Sequence, residues 1–115
     1  MRLKLQLYCG EEIAMGPGKA ELLEKIAETG SISAAARAMG MSYRRAWMLV
    51  DTMNRCFADA LVATMPGGGE RAGARVTAAG QCALAAYRAL SKDVETAAGG
   101  DAFASLQGMI RQRPR

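Results

Sequence analysis

The chain's 115 residues are enough for one hydrophobic core and too few for two full-sized domains. Its 15 lysines and arginines against 11 acids leave a net charge of +4, and with three widely spaced cysteines and no histidine neither a disulfide framework nor a common zinc site is indicated, so a reducing cytoplasm is the expected compartment. Apolar residues make up 50% of the chain, yet no run approaches the ~20 needed to cross a bilayer and the start MRLKLQ is followed by no signal-peptide core.

Only 5% of residues are aromatic, which suits close-packed helices better than a large β-sandwich, and the eight methionines are expected as core filler. From Arg2 to Tyr8 the chain alternates, with Leu3, Leu5 and Leu7 on one face and Lys4 and Gln6 on the other, predicting a half-buried strand that opens a small sheet. Gly16-Pro17-Gly18 marks a turn in which Pro17 presets the first helical dihedral. Leu22, Leu23, Ile26 and Ala27 then recur at helical spacing, and this helix should end at Thr29-Gly30.

From Thr29 to Asn54, TGSISAAARAMGMSYRRAWMLVDTMN reads as two short helices joined by a tight glycine turn. The first of them spans Ser33 to Met39, with Ser31 or Ser33 available as its cap, and Ala36 supplies the small side chain that a steep helix crossing requires. Gly40 reaches the left-handed conformation that closes it, between Met39 and Met41. Ser42 restarts a helix running to about Asp59. The bland alternative is an ordinary helical hairpin. The residues beyond Asp59 favour the helix-turn-helix, because Leu61–Met65, the glycine-rich stretch 66–75 and Arg75-Val76-Thr77 predict a β-hairpin, the wing of a winged helix.

Thr77 caps a predicted long fourth helix carrying Ala83, Tyr87, Leu90 and Val94 in a stripe, which Gly99-Gly100 stops. Asp101 is expected to cap a last helix whose Phe103, Leu106 and Ile110 share a face, ahead of a basic, frayed end from Arg111 to Arg115. The expected architecture is mainly α with a small β-hairpin or sheet. Residues 1–90 form the winged helix-turn-helix, and 91–115 a C-terminal helical extension; the two apolar stripes supply the contact of a homodimer.

Spacing residues by about 100° along the third helix separates its surfaces. Ala46, Val50, Met53 and Phe57 face the core, with Trp47 and Asn54 at the margin and Trp47 taken as structural; Tyr43 points coreward by angle. The opposite arc carries Arg44, Arg45, Met48, Thr52 and Arg55, and its Met48 and Thr52 are among the expected DNA contacts. Arginine near the start of such a helix can donate two parallel hydrogen bonds to guanine in a major groove, so Ser42, Tyr43, Arg44 and Arg45 are candidate base or phosphate contacts, while Arg55, three turns on, should meet backbone or solvent. Arg71 and Arg75 in the hairpin are candidate phosphate or minor-groove contacts. Charge is distributed to match: Glu11–Gly30 holds five acids and two lysines, whereas Arg37–Arg88 holds seven arginines and three acids, placing the positive excess where a polyanion would bind.

The segments GPGKAELLEKIAETGSIS and AARAMGMSYRRAWMLVDTMN, with the wing elements GGG and GARVTAAG, resemble the N-terminal DNA-binding domain of the molybdate-responsive ModE regulators, related to the winged domain of LysR-type regulators. The resemblance runs from the first strand to about Leu90. It implies a dimeric winged helix-turn-helix transcription factor that binds double-stranded DNA, with Ser33, Ser42, Tyr43, Arg44 and Arg45 on positions presented to the duplex. Family regulators also carry C-terminal molybdate-binding domains for which there is no room after Leu90, so direct molybdate sensing, any cofactor, any metal and any membrane association are not expected of these residues. A protein-interaction adaptor on the same fold is the runner-up, and a thiol switch involving Cys56 or Cys82 a third reading. An enzyme is disfavoured, because no histidine, paired carboxylates or GxxxxGK[ST] sequence supplies a reaction class.

Overall fold

The computed structural model describes residues 2–65 and 73–115. Its elements run β1 (Leu7–Cys9), β2 (Glu12–Met15), α1 (Pro17–Thr29), α2 (Ile32–Ala38), α3 (Tyr43–Cys56), β3 (Val62–Met65), β4 (Gly73–Val76), α4 (Ala78–Ala98) and α5 (Asp101–Met109). This is the expected winged helix-turn-helix order: three packed helices, a two-stranded hairpin, then two C-terminal helices.

The first strand departs from expectation. It covers only Leu7–Cys9 and pairs antiparallel with β2 in the register Leu7↔Met15, Tyr8↔Ile13, Cys9↔Glu12, around a turn where Gly10 takes a φ of 62°. Of the alternating leucines, only Leu7 reaches the pairing, with an exposed side chain; upstream of it, exposed Leu3 and half-buried Leu5 meet no partner strand. Residues 2–6 are instead held at Leu5, whose side chain packs against the core and whose carbonyl accepts from the Tyr87 hydroxyl at 2.7 Å.

Local chemistry sets the helix ends. Pro17 occupies the first turn of α1, and Gly30 closes it at φ 71° with its N–H on the Ile26 carbonyl. Of the two candidate caps for α2, Ser31 is used, accepting from the Ala34 N–H at 3.0 Å. Beyond α2, the Gly40 N–H reaches the Arg37 carbonyl and the Met41 N–H the Ala36 carbonyl, with Gly40 at φ 68°; this double bond pattern is the Schellman closure that a left-handed residue completes. Ser42 caps α3 by accepting from the Arg45 N–H at 3.1 Å.

α3 stops three residues short of the expected Asp59 because its last turn is taken over by the wing. The Asn54 amide oxygen accepts from the Leu61 and Val62 N–H groups at 2.9 and 3.1 Å, and its nitrogen donates to the Val62 carbonyl at 3.0 Å. The wing pairs Val62↔Val76, Ala63↔Arg75, Thr64↔Ala74 and Met65↔Gly73. Thr77 then docks α4 on the wing's base: its N–H donates to Leu61, its hydroxyl donates to Ala60 and accepts from the Gly80 N–H.

The core gathers Leu22, Leu23 and Ile26 of α1, Ala35 and Ala36 of α2, Ala46, Val50 and Met53 of α3, and Leu61, Val62 and Ala74 of the wing. Ala36 is 1% exposed, as its place at the α2–α3 crossing demands. α4 contributes Tyr87 to this core and runs unbroken through position 90. α5 buries none of its residues, and Gly100 rather than Asp101 stands at its N-cap, leaving Asp101 in the first turn. The result is elongated, 56 × 33 × 26 Å.

Candidate nucleic-acid interface

α3 carries its buried face, Ala46, Val50 and Met53, on the predicted stripe, which leaves Arg44, Arg45 and Met48 exposed on the other side. Neither Arg44 nor Arg45 has an acidic partner among the described residues. They stand in the first turn after the Ser42 cap, where the unpaired amides and the helix dipole already favour an anion.

Two aromatic residues sit differently from expectation. Tyr43 is 53% exposed and Trp47 36%, packed edge to face with ring centroids 6.2 Å apart. Tyr43 therefore does not point into the core, and Trp47 is no core anchor. Both residues lie on the flank that their spacing predicts, but among the described residues no neighbouring element covers that flank; the outer end of the wing strands and the start of α2 stand off from it. Between them lies a cleft of about 440 Å³ lined by Ser31, Ser33, Tyr43, Trp47, Thr64 and Met65, among others. Ser33 is thus brought next to the α3 aromatics, with its hydroxyl accepting from the Arg37 guanidinium at 3.1 Å.

The remaining predicted contacts divide. Thr52 is half-buried and its hydroxyl donates to the Met48 carbonyl at 3.0 Å, so its proton is spent within α3. Arg75 is exposed on β4, across from Ala63. Arg71 lies outside the described residues.

Arg55 stays half exposed to solvent, as expected, but it also forms ion pairs that the sequence does not announce. It clamps Glu12 through two nitrogens at 2.9 and 3.0 Å and Asp51 at 2.9 Å. These carboxylates raise the guanidinium pKa still further, and the Arg55 hydrogen bonds hold Glu12 below the usual carboxylate range. Arg88 likewise pairs with Glu24. A contact 43 residues away in sequence, such as Arg55 with Glu12, leaves no local signal. Two of the seven arginines between Arg37 and Arg88 are therefore offset by carboxylates on the surface, and the unpaired positive charge contracts toward the start of α3 and β4.

The apolar stripe assigned to pairing also needs amendment. Tyr87 is 7% exposed and belongs to the monomer's own core, and half-buried Ala83 packs against that core. Leu90, Leu106 and Ile110 are exposed, with Val94 and Phe103 half-buried. Ile110 lies one residue past the end of α5. Among the described residues no helix is long and apolar enough to cross a membrane.

A family model described as bacterial regulatory helix-turn-helix protein, lysR family, matches residues 18–81. The chain is 46% identical over 80 residues to the molybdenum-pterin-binding protein MopB of Rhodobacter capsulatus, covering 70% of this chain and 30% of that protein. It is 42% identical over 85 residues to MopA of the same organism, covering 74% and 32%. With the DNA-binding transcriptional dual regulator ModE of Escherichia coli K12 it shares 35% identity over 92 residues, 80% of this chain and 34% of that one. The chain thus spans about a third of the length of these curated relatives.

Proposed function

This chain belongs to the lysR family of bacterial regulatory helix-turn-helix proteins, and from that premise we propose that it is a transcriptional regulator that grips an inverted-repeat operator in double-stranded DNA as a homodimer. The observation that carries the reading is the pair Arg44 and Arg45, exposed and without acidic partners among the described residues, in the first turn of α3. Inserted N-terminus first into a major groove, these guanidinium groups reach guanine O6 and N7 or the flanking phosphates. Ser33, Ser42 and the Tyr43 hydroxyl border the same end and supply phosphate contacts, and Arg75 extends the grip from the wing. Met48 brings an apolar side chain suited to a thymine methyl.

Pairing falls to Leu90, Val94, Phe103, Leu106 and Ile110, which would set two α3 helices about 34 Å apart, one turn of duplex. The reading gives these residues DNA recognition and pairing, and gives them no oxyanion sensing, although the names of MopA and MopB refer to molybdenum-pterin binding.

The test is fluorescence anisotropy against a duplex selected from a random pool, and against its scrambled form, at two salt concentrations. Arg44→Ala and Arg45→Ala should each weaken the selected duplex roughly 10- to 100-fold, and binding should fall steeply with salt. Equal losses on both duplexes demote the residue to a phosphate contact, and unchanged affinity in both variants ends the proposal. The exposed Leu106, Met109 and Ile110 favour one competing role, an adaptor that pairs with another protein; light scattering that finds a monomer, with no DNA affinity, selects it.

A further inference from the structure

We propose that Cys9 and Cys56 form a dithiol site that closes to an intramolecular disulfide under hydroperoxides, stapling the N-terminal hairpin to the C-terminal end of α3. Cys9, exposed, is the last residue of β1, and Cys56, half-buried, is the last residue of α3. The hairpin register sets Cys9 directly across from Glu12. The Glu12 carboxylate is in turn gripped by Arg55, the neighbour of Cys56, and the Cys56 thiol donates to Glu12 Oε2 at 3.9 Å. The ion pair thereby holds the end of α3 against the hairpin, so that the two cysteines line one seam. Both open onto one apolar cavity of about 330 Å³, walled by Tyr8, Phe57, Tyr87 and Leu90. Cys82, exposed on α4, is not among the residues lining it.

The surroundings divide the chemistry between the two sulfurs. Burial, then the adjoining Cys9 thiol and the Glu12 carboxylate, push the Cys56 thiol up and keep it protonated. Cys9 is the sulfur that a hydroperoxide reaches from solvent. Its sulfur, giving up the thiol proton, attacks the peroxide oxygen; the O–O bond breaks, the departing alkoxide takes that proton, and Cys9 sulfenic acid and an alcohol (water, for hydrogen peroxide) are formed. The Cys56 sulfur then attacks the Cys9 sulfur, forming the S–S bond, while hydroxide leaves and takes the Cys56 proton as water. Two thiols together lose two protons and two electrons, and one peroxide accepts them. Closure requires the sulfurs to approach to the ~2.05 Å of a disulfide across the cavity that both line.

The staple encloses β2, α1, α2 and α3, the scaffold that presents the reading helix. Cys56 lies twelve residues beyond Arg44, about 18 Å along the helix axis, so the bond rigidifies the scaffold without covering the exposed first turn.

The test treats the full chain with hydrogen peroxide, alkylates the remaining thiols and maps peptides by mass. One cross-linked peptide pair joining Cys9 to Cys56, loss of two mass units and alkylation of Cys82 alone are expected, with a rise of roughly 5–15 °C in Tm that dithiothreitol reverses. In Cys9→Ser the cross-link and the Tm rise both disappear, whereas Cys82→Ser keeps both. Three thiols alkylated as in the untreated protein, a link involving Cys82, or Cys9 sulfinic acid in place of a bond would each overturn the proposal.

Discussion

Replacing Asn54 tests whether the reading helix and the wing are one mechanical unit. Its side-chain amide makes three hydrogen bonds to the backbone of Leu61 and Val62, at 2.9, 3.0 and 3.1 Å, from a half-buried position at the end of α3. Two neighbouring N–H groups need the oxygen and one carbonyl needs the nitrogen, so the orientation of the amide is determined by its partners. Each bond contributes about 1 kcal/mol net, and both Leu61 and Val62 are buried, so orphaned backbone groups there are not rehydrated without opening the wing. Asn54→Ala should therefore cost about 3 kcal/mol, a large part of the ~5–15 kcal/mol that holds a domain of this size. Asn54→Asp keeps both acceptor bonds, loses the donor and sets a charge against the Val62 carbonyl; it should fall between Ala and the parent. Urea unfolding followed by circular dichroism reads the difference as a midpoint shift of roughly 1–2 M for Ala. A loss below about 1 kcal/mol, or Asp no better than Ala, would refute the coupling.

Three further outcomes rest on contacts elsewhere. Gly80→Ala places a Cβ 2.3 Å from the Leu61 carbonyl oxygen and 2.5 Å from Val76 Cγ1; despite the ~1 kcal/mol helix-propensity gain, α4 must shift off the wing at a net cost of about 2–4 kcal/mol, and equal or higher stability in urea would contradict it. Tyr87→Phe removes the 2.7 Å bond to Leu5 and about 1 kcal/mol, with faster amide exchange confined to residues 3–6; exchange unchanged there would show that another contact anchors the tail. Glu12, whose carboxyl Arg55 holds below the ordinary range, contributes stability that is complete above the unfolded carboxylate pKa and lost as pH falls through the lowered folded value. Glu12→Gln should flatten Tm against pH between about pH 2 and 5, and parallel profiles for the two proteins would exclude the pair as a source of acid sensitivity.

What could be read from the chain was whatever local chemistry decides. Ser42 and Thr77 as caps, Gly30 and Gly40 as terminators and Pro17 as an initiator act within a few residues, and each performs the role its type suggests. The Arg44–Arg45 face was legible because Ala46, Val50 and Met53 fix where the core must be. Periodicity gave the angle of Trp47 and Tyr43 and nothing about what stands opposite them, so their exposure became visible only with the α2 start and the outer wing strands in place. The Arg2–Tyr8 alternation misled for a related reason: a strand exists through its partner, and the partner, β2, begins with a glutamate that hides its strand character. Arg55 with Glu12, Arg88 with Glu24 and Tyr87 with Leu5 join positions far apart in the chain, beyond the reach of any window.

The clamp on Arg55 gives the reading helix an electrical direction. Toward its far end the charges of Glu12, Asp51 and Arg55, with Lys19 beside Glu12, largely cancel, whereas its near end combines two guanidinium groups with the positive pole of the peptide dipoles; Arg44 and Arg55 stand eleven residues, about 16 Å, apart along the axis. In the field of a polyanion such a rod experiences torque as well as attraction. If α3 meets the duplex by its first turn, as proposed above, this asymmetry favours approach with that end leading, from within about a Debye length.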